Sequence, residues 1–258
     1  MSLDVTLLDG LLPNRVRWAQ AVVPELPLGA AGEAAYPEAI ETGLFPEERE
    51  HIAQAVAKRR LEFAAVRRCA RRALQELGYP PVPILPGEQR EPQWPEGVVG
   101  SMTHCAGYCA AAVARTGDVS ALGIDAEVHA PLPEGVLDLI SLESERARLA
   151  ELTERTPGSV HWDRILFSAK ESVYKAWFPL TRRWLGFEEA DIVLRLDGSF
   201  EATLLTGQNG ADPAGGGAAA SAAPSPSSSA ESGIPRGFAG RWAVSGGLIA
   251  TAVGEVVG

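Results

Sequence analysis

The sequence predicts an α+β protein. Helical periodicity runs through residues 46–77 and again through 160–178, strand-like runs cluster at 97–127 and after 190, and each half of the chain thus holds both element types. Residues 1–45 are punctuated by proline and glycine and read as loops plus one strand. Pro46, with acids behind it, suits a helix start, and Gly78 followed by Pro80 suits its end, with a break near Lys58. Six prolines make residues 79–97 a loop. "GVVGSMTH", "GYCAAAVAR" and "VSALGIDAE" read as strands. "LPEGVLDLI" and "LESERARLAEL" read as short helices, and "SVHWDRILFSAKESVYKAWF" as a longer one closed by Pro179. "ADIVLRL", "SFEATLL", "GRWAVSG" and "LIATAVGEV" complete the strands. Residues 207–235 are rich in glycine, alanine, serine and proline and nearly free of large apolar side chains, so burial there does not offset ordering entropy. A disordered insert between two strands is expected.

At 258 residues the chain is long enough for one large domain or two small ones. A boundary near residue 121 gives an N-terminal subdomain, 1–121, with the arginine-rich helix, and a C-terminal one, 122–258, with the carboxylates. A net charge of −10 disfavours a general nucleic-acid binder. No apolar run is long enough to span a bilayer, and residues 1–20 lack the pattern of a signal peptide, so a cytoplasmic protein with no membrane partner is expected. Three cysteines argue against a disulfide framework, and His104, Cys105 and Cys109 are too few ligands for zinc.

In "GIDAE", strand alternation puts Asp125 and Glu127 on one side and Ala126 on the other. Like charges this close raise each other's pKa unless a cation joins them, and Mg²⁺ suits such oxygen ligands. On spacing alone a solvated strand end fits as well. On a helical wheel, Trp162, Ile165, Leu166, Ala169, Val173, Ala176 and Trp177 share one face. Glu171 lies opposite with Lys175 beside it and Lys170 at the edge, yet Phe167, Tyr174 and Phe178 occupy that second side too. Such a helix is wedged between two layers, and its charges suit either a phosphate-and-metal site or surface salt bridges.

The helix over 59–77 has Phe63, Val66, Ala70, Leu74 and Leu77 on its apolar face, with Arg59 and Arg67 at the margins of that face. An inward arginine needs an anion, either a structural carboxylate or a bound phosphate.

"GIDAE" some forty residues before "FSAKESVYKAW", with "GSMTHCAGY" upstream, resembles the surfactin-type 4′-phosphopantetheinyl transferases. "AKRRLEFAAVRRCARRAL", "EPQWPEGVVGSMTHCAGY" and "FPLTRRWLGFEEADI" look like the actinobacterial and enterobactin synthase component D-like branch. The resemblance implies two α+β subdomains related by a pseudo-twofold axis, with coenzyme A as substrate in the cleft between them. It implies transfer of the phosphopantetheine arm to a serine of an apo acyl, peptidyl or aryl carrier protein by a monomeric, Mg²⁺-dependent enzyme. By motif position, Asp125, Glu127 and Glu171 hold Mg²⁺, while Arg59, Arg67, Thr103 and His104 bind the nucleotide's phosphate. Lys170 and Lys175 neutralise the pyrophosphate, and Glu171 is the general base with Glu127 as the alternative. Relatives often carry a lysine in the loop where this chain has Pro86, and Gln89 and Arg90 are the nearby polar replacements. Arg182, Arg183 and Trp184 form a basic-aromatic surface suited to the carrier or the pantetheine arm, or an ordinary loop after a helix. A binding module that holds coenzyme A or a carrier without catalysis is the alternative, and the full set of Asp125, Glu127, Lys170 and Glu171 weighs against it.

Overall fold

The computed structural model describes residues 6–23, 42–105, 107–205 and 235–257. The insert expected at 207–235 lies outside the described residues, apart from its last position. In chain order the elements are β1 (Arg17–Val22), α1 (Pro46–Ile52), α2 (Ala57–Glu76), β2 (Val98–Cys105), β3 (Tyr108–Arg115) and β4 (Val119–Val128). They continue with α3 (Val136–Ile140), α4 (Glu143–Arg155), α5 (Trp162–Thr181), β5 (Ala190–Leu194), β6 (Ser199–Leu204), β7 (Gly237–Ser245) and β8 (Leu248–Val256). One antiparallel sheet has the order β1-β3-β2 and the other β4-β8-β7-β6-β5.

Strand parity assembles these pieces into layers. Along β3, Cys109, Ala111 and Val113 face α2, packing with Ala65, Ala70 and Leu74. Ala110, Ala112 and Ala114 face the other way, onto Leu122, Ile124, Ala250 and Ala252 of the second sheet. The far side of that sheet, through Ala121, Ile249 and Val253, packs on Ile165, Ala169, Val173 and Trp177 of α5. The chain is therefore layered helix, sheet, sheet, helix. The wheel residues of α5 all fall on its buried face as expected, between 0% and 2% exposed.

The edges of the two sheets meet without a backbone ladder. Ser101 and Thr103, two residues apart on β2, accept hydrogen bonds from the backbone N–H groups of Ile124 (3.0 Å) and Ala126 (2.9 Å) on β4. Side-chain hydroxyls thereby satisfy donors that would otherwise be buried and unpaired.

Each long helix is tied down by a buried carboxylate from the helix before it. Glu48, in the first turn of α1, accepts from the backbone N–H groups of Phe45 (2.9 Å) and Ile84 (2.9 Å) and pairs with Arg71 of α2 at 2.8 Å. Glu145 does the same in α4, accepting from Leu142 N–H (2.7 Å) and Ile192 N–H (2.8 Å) and pairing with Lys170 of α5 at 2.8 Å. Both combine the carboxylate arm of a capping box with a buried ion pair.

The break near Lys58 falls at residues 53–56, between α1 and α2. Pro179 does not close α5, contrary to expectation; it sits inside the last turn, and the helix runs on to Thr181. Its missing N–H leaves the Lys175 carbonyl without its partner in the last turn, and the ring itself is exposed. Closure comes at Arg182, which adopts a left-handed conformation (φ 56°) and donates its N–H to Phe178 O at 2.8 Å. No helix among the described residues is long and apolar enough to cross a membrane.

Candidate active site

A cleft of about 1560 Å³ opens between α2, the end of β2, the loop around residue 89 and the exposed side of α5. Arg59, Arg67, Gln89, Arg90, Thr103, His104, Glu171 and Lys175 line it, whereas Asp125, Glu127 and Lys170 do not.

Arg67 comes from the inner margin of α2 and is only 6% exposed. Its Nε donates to Ile84 O at 2.9 Å, Glu48 lies 3.8 Å away, and the guanidinium stacks on the Phe63 ring with its carbon 3.1 Å from the ring centroid. Burial lowers its pKa to about 9, against the pull of Glu48. The two anions weighed for this arginine thus have different standings. Glu48 is present but spends its best contact on Arg71, and Arg67 reaches the cleft wall as well. Arg59 is not turned inward: its side chain is half exposed at the rim, donating from Nη1 to His104 Nε2 at 2.7 Å. Position 59 lies in the first turn of α2, whose inner side is taken by Ala57 and Leu61.

Thr103 borders the cleft, but its hydroxyl faces away from it, toward β4, donating to Asp125 Oδ1 at 3.3 Å and accepting from Ala126 N–H. The side chain expected on a phosphate is committed to joining the sheets. Gln89 and Arg90 lie on an exposed turn in which Arg90 is left-handed (φ 66°). Glu91 pins that turn, accepting from Gln89 N–H at 3.0 Å and from Arg182 at the end of α5.

Asp125 and Glu127 project from one side of β4 toward α5, as parity requires. Asp125 is buried, accepting from Lys175 Nζ at 2.7 Å and from Ser168 Oγ at 2.8 Å. Glu127 pairs with Arg164 at 3.2 Å. Burial raises the Glu127 pKa and Asp125 raises it further, while Arg164 and Lys175 oppose. Glu171 is pushed up by burial, drawn down by Lys175 and pushed up again by Asp125. Asp125 thus adds to the upward shift that burial gives both other carboxylates. The compact trio expected from the motifs is not drawn together, however. Among the described residues no three His, Cys, Asp or Glu side chains are grouped closely enough to hold a metal ion.

Lys170 is displaced from its expected role. Its ammonium is buried beneath α5, bound to Glu145 and to the carbonyls of Phe187 (2.6 Å) and Ala190 (2.9 Å). Those three acceptors satisfy all its donors, and none is in the cleft. Replacing it, in Lys170→Met, leaves Glu145 buried without its cation and is expected to cost about 3 kcal/mol. Denaturant unfolding should register that loss while coenzyme A affinity stays within about threefold; a selective loss of affinity with stability intact would return Lys170 to the site.

Comparisons with known proteins identify the family. A family model described as the 4′-phosphopantetheinyl transferase N-terminal domain matches residues 47–114, and one described as the 4′-phosphopantetheinyl transferase superfamily matches residues 121–223. The chain is 51% identical over 232 residues to 4′-phosphopantetheinyl transferase Svp of Streptomyces mobaraensis, covering 88% of this chain and 86% of that protein. The chain belongs to the 4′-phosphopantetheinyl transferase superfamily. Two further members are similar at comparable coverage: PptT of Mycobacterium tuberculosis, 50% identical over 81% of this chain and 84% of its own length, and Npt of Nocardia iowensis, 47% identical over 84% and 91%.

In this phosphopantetheinyl transferase Ser168, Tyr174 and Glu62 sit within the quoted motifs without a role of their own there, and bear on the site through their contacts. Ser168 stands one turn ahead of Glu171 and orients Asp125. Tyr174 lines the cleft and packs on Trp184, ring centroids 5.1 Å apart, leaving Trp184 72% exposed. Glu62, one turn beyond Arg59, approaches both Arg59 (4.0 Å) and His104 (3.4 Å). Its i, i+3 spacing from Arg59 was the only signal available in the sequence.

Proposed function

We propose that the chain transfers the 4′-phosphopantetheine arm of coenzyme A to a serine of an apo acyl, peptidyl or aryl carrier protein, releasing adenosine 3′,5′-bisphosphate. The observation that carries this reading is one cleft lined by Arg59, Arg67 and His104 together with Glu171 and Lys175. The first three suit a nucleotide's phosphate, and the carboxylate and ammonium of α5 a reacting pyrophosphate.

In the reaction, the serine oxygen attacks the phosphorus that bears the pantetheine arm. The new O–P bond forms as the pyrophosphate P–O bond breaks, and the leaving nucleotide keeps the electron pair. Glu171 accepts the hydroxyl proton; a carboxylate whose pKa is raised by burial is a better base near neutral pH than an ordinary one. Lys175 stabilises negative charge developing beside Asp125. The donor set of Asp125, Glu127 and Glu171 fits a hard divalent cation, and Mg²⁺ bound there would supply Lewis-acid stabilisation of the phosphoryl oxygens. Glu127, which pairs with Arg164, would have to give up that partner to join it. Gln89 and Arg90 serve the nucleotide from the loop. Trp184, flanked by exposed Arg182 and Arg183, offers a basic-aromatic landing for the carrier beside the cleft. A cytoplasmic monomer without nucleic-acid or membrane partners completes the reading.

The test is direct. Incubated with coenzyme A, Mg²⁺ and an apo carrier protein, the chain should add the mass of one phosphopantetheine arm to the carrier in the mass spectrum. No gain across acyl, peptidyl and aryl carriers, with coenzyme A still bound, would favour a binding module instead.

A further inference from the structure

The cationic lining of the cleft contains two contacts that make opposite demands on one atom. Arg59 Nη1 lies 2.7 Å from His104 Nε2, and Glu62 Oε2 lies 3.4 Å from the same nitrogen. A guanidinium only donates, so His104 must accept there: it is neutral and carries its proton on Nδ1. A carboxylate only accepts, so Glu62 is served only if Nε2 bears a proton. While Arg59 donates to the ring, Glu62 has no hydrogen bond from it.

A phosphate arriving at Arg59 removes the conflict. The guanidinium turns to the phosphate oxygens, Nε2 loses its donor, and the positive charge that opposed a second cation is neutralised. His104 then stands between two anions, the phosphate and Glu62. The remaining charges near it are Lys175 on α5, which opposes a proton, and Asp125 on β4, which favours one.

We propose that seating a nucleotide phosphate on Arg59 is coupled to uptake of a proton by His104, and that Glu62 is the positioning residue that makes this uptake favourable. The inference rests on the proposed coenzyme A site. In the free protein, burial and then Arg59 hold the His104 imidazole below its ordinary pKa, so the ring is neutral near pH 7 and has a proton to gain. The sign follows. The bound form holds more protons than the free form, so affinity rises as pH falls through the neutral range.

Calorimetric titration of the full chain with coenzyme A, at about pH 7.5 in buffers of different ionisation enthalpy, measures the protons exchanged. The wild-type protein should take up a substantial fraction of one proton. That uptake should vanish in His104→Gln, fall by about half or more in Glu62→Gln and return in Glu62→Asp. Protons exchanged by the ligand's own phosphates are common to all variants and cancel in the differences. Uptake no greater in the wild-type protein than in His104→Gln, or unchanged in Glu62→Gln, overturns the inference while leaving the site reading intact. Failure of coenzyme A to bind the wild-type protein overturns the site reading and the inference with it.

Discussion

Glu171→Gln is expected to lower transfer about 10²–10⁴-fold while coenzyme A binding largely survives. The amide keeps the size of the carboxylate and its place on the cleft wall but cannot take the serine proton. The pH profile supplies a second signature. Burial raises the Glu171 pKa, with Asp125 adding to it and Lys175 opposing. A base must be deprotonated to act, so kcat/KM should fall as pH drops through the pKa of Glu171. That fall should be missing from the residual activity of the variant. Steady-state kinetics across pH, together with coenzyme A titrations of the same preparations, check both statements. Full activity in Glu171→Gln would move the base elsewhere, with Glu127 next in line.

The second large effect is expected at Gly123, inside "GIDAE". A Cβ there would lie 1.9 Å from the Ser172 carbonyl oxygen and 2.9 Å from the Ala176 nitrogen, both backbone atoms of α5. No rotamer relieves such a clash, so in Gly123→Ala the helix must move off β4. Overpacking of this kind costs about 1–3 kcal/mol. The catalytic cost should be larger in proportion. Ser172 follows Glu171 directly, and Lys175 is three residues further on, so the displacement falls on the groups facing the pyrophosphate. A misplacement of about 1 Å is worth roughly 10²-fold in rate. Gly117→Ala, at an exposed turn with nothing within 4 Å of the added carbon, is the matched control and should be neutral in both unfolding and transfer. Parity between the two variants would mean that the contact of α5 with β4 does not set the site.

Much of this site could be read from local periodicity. Strand alternation put Asp125 and Glu127 on one side of β4, and both project toward α5. The wheel of α5 separated a fully buried stripe from the side bearing Glu171, Tyr174 and Lys175, which became a wall of the cleft. Periodicity fails where a polar side chain is claimed by a distant partner. Lys170 sits at the edge of the wheel, and only Glu145, on a helix that a wheel of α5 cannot see, decides that it points away from the cleft. Thr103 neighbours His104 in sequence, but its hydroxyl answers to a backbone N–H across the junction of the sheets. Pro179 was expected to stop α5 because its missing N–H and its ring disrupt helix interiors. Here the helix continues for two residues beyond the proline, and the stop depends on the backbone of Arg182 instead.

The hydroxyl-mediated junction of β2 with β4 has a metric consequence. Thr103 holds Asp125 and the Ala126 N–H, while the next residue on its own strand is His104. His104, on the cleft wall, and Asp125, which holds Lys175, are therefore fastened to strands that cannot slide past each other without losing both hydroxyl contacts. Under the proposed function this makes the protein a fixed gauge. The nucleotide phosphate and the pyrophosphate of coenzyme A are separated by one ribose, and the strands hold their two receptors at a set span. Ligand choice then rests on the length between two charges as much as on the charges themselves.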